Sequence, residues 1–322
     1  LIFDLFKERT EGAFLERGDI PNYIGLNSDP YGNLGIVENK GFDGTVTYRA
    51  NLNELKLDFR GTFSYNKNKI IENGQPLQPF DYLNRQGTGL LANFGLVAER
   101  LFTLEDDING DGKITADDGF PFQTFSEIQP GDIKYSDLNN DGVIDSFDRK
   151  NIGDGDVPAL TYGFGITAQY KGFDLSLFFQ GQSYSDRFIG GSGIQPFVGG
   201  GGEGNLYTIA IDRWTPENNN PYATYPRLSY GASAIGQENN TQQSTWWIRD
   251  IDFFRLKTAE VGYTLPSTLT DKIGFLNTRF YLRATNLFTI SKFDLWDPEL
   301  NTANGNSYPN ISVVSTGVSI DF

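Results

Sequence analysis

The sequence predicts an all-β protein, and more narrowly an antiparallel transmembrane β-barrel. Three observations carry that expectation. Apolar and polar residues alternate along segments longer than ordinary strands. The links between segments are short on one side and long on the other. The chain is also aromatic-rich yet polar: 14% of its residues are Phe, Tyr or Trp, 37 are Gly, none is Met, and the mean hydropathy is −0.39. Period-two alternation sends successive side chains to opposite faces of a strand. Roughly 9–11 tilted residues cross a bilayer, whereas strands in soluble domains average about 5–6. The sequence holds no long unbroken apolar run, so no transmembrane helix is expected; barrels escape that criterion.

The elements follow in order. Leu1-Ile2-Phe3-Asp4-Leu5-Phe6 reads as strand, as if continuing from something longer. Phe42, Val46 and Tyr48 alternate with Asp43, Thr45, Thr47 and Arg49. After the short link Asn51-Leu52-Asn53, Leu55, Leu57, Phe59, Phe63 and Tyr65 alternate with Glu54, Lys56, Asp58, Arg60, Thr62 and Ser64, completing a hairpin. In a second hairpin, Leu160, Tyr162, Phe164, Ile166, Ala168 and Tyr170 share one face. Lys171-Gly172 turns that chain into Phe173, Leu175, Leu177 and Phe179. Further strands are expected near 247–263, 278–289 and 312–322. The long connections are 70–92, 103–158, 184–245 and 290–311, rich in Gly, Asn, Asp and Pro. Sorting short turns to one end and long loops to the other is outer-membrane barrel topology. A soluble sandwich has no reason to do it.

Composition removes several chemistries. Cys and His are both absent, so there is no disulfide framework, thiol catalysis, Ser-His-Asp triad or ordinary zinc site. Hydrolysis by a carboxylate pair remains open in principle. The net charge is −15, and residues 105–148, with twelve acids and two bases, supply −10 of it. A nucleic-acid partner is therefore disfavoured.

That acidic stretch contains two twelve-residue loops, Asp107–Asp118 and Asp137–Asp148. Each places oxygen-bearing side chains at positions 1, 3, 5, 9 and 12: Asp107, Asn109, Asp111, Thr115 and Asp118, then Asp137, Asn139, Asp141, Asp145 and Asp148. Position 6 is glycine, for the sharp turn that aims several oxygens inward. Position 7, Lys113 or Val143, offers only its backbone carbonyl. Position 8 is isoleucine, expected to pack away from the loop. Calcium takes six to eight such oxygen ligands, so two structural calcium ions are expected. The alternative is a pair of Asp/Asn/Gly turns without an ion. Gly119-Phe-Pro121 follows the first loop and Gly153-Asp-Gly-Asp-Val-Pro158 the second, so neither continues into the helix that a calcium sensor needs. Aspartate pairs such as Asp106/Asp107 and Asp117/Asp118 read as parts of these loops rather than as catalytic dyads.

Other features read as structural. Gly190–Gly193 and Gly199–Gly202 lack the Gly-Lys-Ser/Thr and strand-to-helix setting of a phosphate loop and are expected to be flexible connection. Trp246 and Trp247 are expected in an interfacial girdle or in packing. Arg60, Arg255, Lys257 and Arg283 fall on the polar face.

Longer stretches resemble one family. They include Asn33-Leu-Gly-Ile-Val-Glu-Asn39-Lys-Gly41-Phe-Asp, Pro130-Gly-Asp-Ile-Lys-Tyr135 running through Asp141-Gly-Val-Ile-Asp to Ile152-Gly153, and Tyr170-Lys-Gly-Phe-Asp174. Arg213-Trp-Thr-Pro-Glu217, Phe254-Arg-Leu-Lys257, Val261 to Pro266, Arg283-Ala-Thr-Asn286 and Asp297-Pro-Glu299 continue the series. In that order they resemble the carboxyl-terminal barrel region of TonB-dependent transporters of the SusC/RagA type. The alternating ending from Val314 to Phe322 resembles the terminal strand such barrels show to their assembly machinery.

The resemblance implies a 22-stranded barrel in the bacterial outer membrane, facing lipid, of which residues 1–322 form the carboxyl-terminal part. The calcium loops would sit in an extracellular insertion at about 103–158. It implies no enzymatic activity but active import of oligosaccharides or peptides, energised through a TonB complex and assisted by a SusD-like surface lipoprotein. The family's plug, whose acids would pair with Arg60, Arg255, Lys257 and Arg283, has no counterpart here, nor do its TonB box and first barrel half. An open half-barrel leaves unpaired edges in lipid, so a longer chain or a second one is expected to supply them. The rival reading is a secreted calcium-stabilised β-protein that binds glycans or acts as an adhesin; a glycoside hydrolase on a β-scaffold is a third.

Overall fold

The computed structural model describes residues 1–20, 22–25, 27–196, 206–229, 237–270 and 274–321. Its first three strands, β1 (Ile2–Glu16), β2 (Tyr31–Leu52) and β3 (Leu55–Glu72), form a meander. Six short strands follow within one excursion: β4 (Asn93–Gly95), β5 (Ala98–Leu101), β6 (Phe122–Gln123), β7 (Ile133–Tyr135), β8 (Val143–Ile144) and β9 (Lys150–Gly153). The chain returns as β10 (Leu160–Tyr170) and β11 (Phe173–Ser183). A second excursion holds β12 (Asp186–Phe188) and β13 (Ile248–Asp250) and leads to β14 (Phe253–Thr264). Two more strands, β15 (Asn277–Ser291) and β16 (Val313–Asp321), complete the chain's one large sheet. That sheet is antiparallel, with eight strands in the order β1-β2-β3-β10-β11-β14-β15-β16. β1 and β16 lie at its two edges.

The first hairpin turn is tighter than the sequence suggested, and the second is the expected Lys171-Gly172. Asn51 and Leu52 still pair with Lys56 and Leu55, so the first turn is Asn53-Glu54, with Asn53 in the left-handed region (φ 55°). In the second, Lys171 (φ 46°) and Gly172 (φ 83°) both take positive φ, which matches the right-handed strand twist. At the opposite end lie 17–30, 73–159, 184–252 and 292–312. One link departs from the expected sorting: 265–276, on the turn side, is longer and carries a helical turn, Ser267–Thr270. The strands near 247–263 resolve into β13, outside the large sheet, and β14.

Each face of the sheet has its own chemistry. On one, cross-strand rows bring together Tyr48, Phe59, Ile166 and Leu177, and one step away Ala50, Leu57, Ala168 and Leu175. The other carries Thr45, Thr62, Thr161 and Gln182. The apolar face is uncovered: Tyr48, Phe59, Ile166, Leu175, Val261 and Leu282 are all exposed. The ten residue steps from Leu52 to Phe42, at ~3.3 Å each and ~45° tilt, climb roughly 23 Å, close to the ~25 Å apolar band of a membrane barrel. Most of the buried hydrophobic side chains lie instead in the two excursions, in a cluster that includes Leu101, Ile133, Tyr135, Ile144, Trp214, Tyr225 and Trp247.

Candidate functional site

The two acidic loops fold alike, and their hydrogen bonds show why. At position 1, the Asp107 carboxylate accepts from the backbone N–H groups of Gly110 (2.8 Å) and Gly112 (2.8 Å). Asp137 does the same for Asn140 (2.6 Å) and Gly142 (2.9 Å). Asn109 and Asn139 at position 3 accept from Asp111 and Asp141; these in turn accept from Lys113 and Val143. Gly112 and Gly142 take φ of 82° and 83°, the left-handed turn required at position 6.

Position 12 closes each loop. Asp118 accepts from Ile108 and Thr115, and Asp148 from Leu138 and Asp145. Both carboxylates are buried. Burial holds the Asp148 carboxyl above its ordinary range, and the like charge of Asp137 adds to this. A single 3₁₀ turn, Ala116–Asp118 or Ser146–Asp148, ends each loop, capped by Thr115 or Asp145.

Ile114 and Ile144 pack inward as expected, but into different clusters. Nor do they pair with each other: the Ile114 N–H donates to the Ile128 carbonyl, and Ile144 lies against Gln123 in a parallel bridge. In that bridge the Gly142 and Ile144 carbonyls accept from Phe122 and Thr124. Strand alternation therefore turns the Val143 carbonyl away from that bridge. The turn scaffold and the donor types thus fit calcium. Among the described residues no three acidic side chains converge into a metal cage. Their oxygens are held by N–H donors, and a carboxylate oxygen so held keeps a further lone pair.

The adjacent aspartates take separate roles. Asp106 belongs to a bidentate pair with Arg100 (2.6 and 2.8 Å) and caps the turn at Thr103, whereas Asp118 serves its loop. Asp117 is exposed.

Polar residues with no site role expected from the sequence fasten the two excursions together. Asp132, fully buried, pairs with Arg227 (2.7 Å) and accepts from the Asn240 side chain (2.7 Å). Asn240 also accepts from the Ile133 N–H, and Asn239 donates to the Ile133 carbonyl. Gln123 bonds both that carbonyl and the Tyr135 N–H. Burial pushes the Asp132 carboxyl up although Arg227 opposes it. Gly131 has no room for a side chain, because a Cβ would overlap the Trp214 ring.

All four tryptophans belong to this assembly. Trp214 and Trp247 are buried in its core, and Trp246 and Trp296 pack against it. The packing alternative therefore holds for Trp246 and Trp247. Gly193 meets the Asn304 carbonyl closely, which is no phosphate cradle; Gly199–Gly202 lie outside the described residues, as does Phe322.

On the polar face, the chain's own acids meet the predicted cations. Arg255, almost fully buried, donates to Asp297 and to Glu299 (2.9 Å), and Lys257 donates to Glu299 (3.1 Å). Arg283 faces Glu260 at 3.8 Å. The expectation that plug acids satisfy Arg255 and Lys257 is corrected: the loop between β15 and β16 folds back and supplies them. Arg60 is exposed, with no ion pair among the described residues. Beside this anchor, Thr45, Thr62, Ser64, Gln180 and Gln182 line an open groove of about 470 Å³.

A meander of long strands with one apolar outer face and one polar face is part of an outer-membrane-type β-barrel. No protein-family model matches the chain. It is 28% identical over 351 aligned residues to TonB-dependent receptor P3 of Formosa agariphila, covering 100% of this chain and 32% of that receptor. To TonB-dependent receptor P26 of the same organism it is 29% identical over 320 residues, covering 94% of this chain and 31% of the receptor. The chain thus spans about a third of the length of the curated relatives it matches. Its fold resembles the RagAB peptide transporter with a TM-score of 0.65, at 21% identity, covering 99% of this chain and 33% of the other. The RagAB peptide importer in its open-open state gives 0.63 at 20% identity, over 99% and 32%. The sequence is thus similar to about a third of two TonB-dependent receptors, and the fold to about a third of the RagAB peptide transporter, in keeping with the resemblance the motifs carry.

Proposed function

We propose that this chain forms the carboxyl-terminal wall of a bacterial outer-membrane importer for oligosaccharides or peptides. The observation that carries the proposal is the uncovered apolar face, whose height matches a bilayer, beneath a set of long connections at one end of the strands. No aqueous role explains so many exposed aromatic and aliphatic side chains in register. The polar face lines the passage, and the cross-linked excursions form an extracellular cap. A SusD-like lipoprotein docks over that cap. A TonB complex supplies energy through a plug borne by the rest of the transporter. The protein does no chemistry on its cargo.

Calcium is structural in this reading. Asp107, Asn109, Asp111, Asp118 and the Lys113 carbonyl hold one ion, with Thr115 completing the loop. Asp137, Asn139, Asp141, Asp148 and the Val143 carbonyl hold the other, with Asp145 in the equivalent place. The ions neutralise the acidic stretch and stiffen the cap.

Fractionation of cells expressing the full-length transporter tests the reading. It is expected in the outer membrane, as a detergent-requiring species whose gel migration changes on heating. A detergent-free soluble protein would support the secreted rival and end this proposal.

A further inference from the structure

On the apolar face, strand register places three lysines side by side: Lys7 lies opposite Lys40, and Lys40 opposite Lys67. Like charges directly opposed on neighbouring strands destabilise a sheet, so this row calls for an anion. Glu38 meets Lys7 at 2.8 Å, while Lys40 and Lys67 have no ion-pair partner among the described residues. All three lysines are exposed. The next row outward adds Lys69 and Arg9 on either side of Glu38, Arg9 being paired with Glu11 at 2.5 Å. A cationic patch in a chain of net charge −15 is not an effect of composition.

Its height on the sheet identifies the partner. Directly below the lysines, one residue pair toward the turns, lie Leu5, Phe42 and Tyr65. Together the six side chains line an open groove of about 550 Å³, cationic at its outer rim and apolar beneath. The row sits at the loop-side end of the apolar band, where headgroups replace hydrocarbon. The opposite margin differs. It ends on Leu52, Leu55, Tyr170 and Tyr263, and its Lys171 is balanced by Glu54 at 3.0 Å.

From this we infer that Lys7, Lys40 and Lys67 bind the phosphates of an acylated glycolipid in the outer leaflet, with its chains lying against Leu5, Phe42 and Tyr65. The inference rests on the barrel reading above, which puts this face in lipid. Three ammonium groups in a row suit a bisphosphorylated headgroup, each contact being a charge-assisted hydrogen bond. The lipid would secure β1–β3 at one fixed height.

The test reconstitutes the full-length transporter into phosphatidylcholine nanodiscs, and native mass spectrometry counts retained lipid A in its bisphosphorylated and dephosphorylated forms. The unaltered protein is expected to retain the bisphosphorylated form at least about tenfold better, since each lysine near an anionic surface contributes appreciably. Lys7→Gln/Lys40→Gln/Lys67→Gln is expected to erase that preference while keeping heat-modifiable migration. Should the triple variant not fold, Lys40→Gln alone is expected to reduce the preference severalfold. Equal retention of both lipid forms by the unaltered protein would overturn the inference, as would a preference that survives the substitutions. Inorganic phosphate in millimolar excess is expected to leave the lipid in place, because it lacks the acyl chains; full displacement would contradict the lipid assignment. If the unaltered protein shows no heat-modifiable migration, the barrel reading itself fails, which is a separate result.

Discussion

The sheet and the cap use the same residue types in opposite ways. In the sheet, Phe59, Ile166 and Leu175 point outward and are exposed; in the cap, Leu101, Ile133 and Trp247 point inward and are buried. Hydrophobic burial organises the cap as it does any globular domain. The sheet gains little from burial within the chain; its strands are held by continuous hydrogen-bonded pairing, and in the proposed barrel lipid would cover its apolar face. Polar groups are reversed too. The cap buries Asp132, Asn239 and Asn240 in a closed network, whereas the sheet keeps its Thr, Ser and Gln along an open groove. A single chain thus carries surfaces fitted to two solvents, and the boundary between them is a row of residues rather than a domain linker.

Substitutions can break or sharpen that contrast. The largest effect is expected from Trp247→Ala in the full-length transporter. It should cost about 3–5 kcal/mol of cap stability, read as faster amide exchange across 93–153 and 206–229, with heat-modifiable migration of the barrel retained. Loss of the barrel instead would show that cap and wall fold as one unit. Ile166→Arg, in the middle of the apolar band, should destabilise the inserted barrel by about 2–4 kcal/mol in reversible unfolding from bilayers. Thr62→Arg on the polar face should have little effect on the same measurement. Equal costs would erase the distinction between the faces.

Smaller effects belong to the ties between regions. Arg255→Met leaves Asp297 and Glu299 without their buried partner and should expose 292–312 to protease while the wall stays intact. Asp111→Ala or Asp141→Ala should remove one calcium ion, raise exchange within its own loop and weaken lipoprotein capture. Insertion should be unaffected; a variant that fails to insert would show that the loops serve folding of the wall rather than the cap.

Much of the wall could be read from the sequence, because alternation becomes visible wherever one face meets an apolar medium. Leu55 to Tyr65 and Leu160 to Tyr170 are of this kind. Beyond the apolar band both faces are wet, so the signal fades. Lys7-Glu8-Arg9-Thr10-Glu11 has no alternation of hydrophobicity, yet it pairs residue for residue with Ile36–Lys40. The lysine row escaped notice for the same reason: its members are far apart in sequence and meet only through register. In the cap, the loops' turn chemistry was legible because Asp, Asn and Gly act locally. The hold of Asn239 and Asn240 on Asp132 and Ile133 was not, because buried amides follow no spacing rule. The acids facing Arg255 were sought in a plug and came from the chain's own Asp297-Pro-Glu299.

The central claim is that one face of the large sheet meets lipid and the other meets water. These 322 residues contain no cysteine, so single-cysteine spin labels can be placed on neighbouring positions and compared directly. In the full-length transporter in bilayers, labels at Ile166 and Leu175 should be relaxed by dissolved oxygen and shielded from a water-soluble nickel chelate. A label at Thr167 should show the reverse. Uniform accessibility at all three positions, or lipid contact at Thr167, would contradict the account.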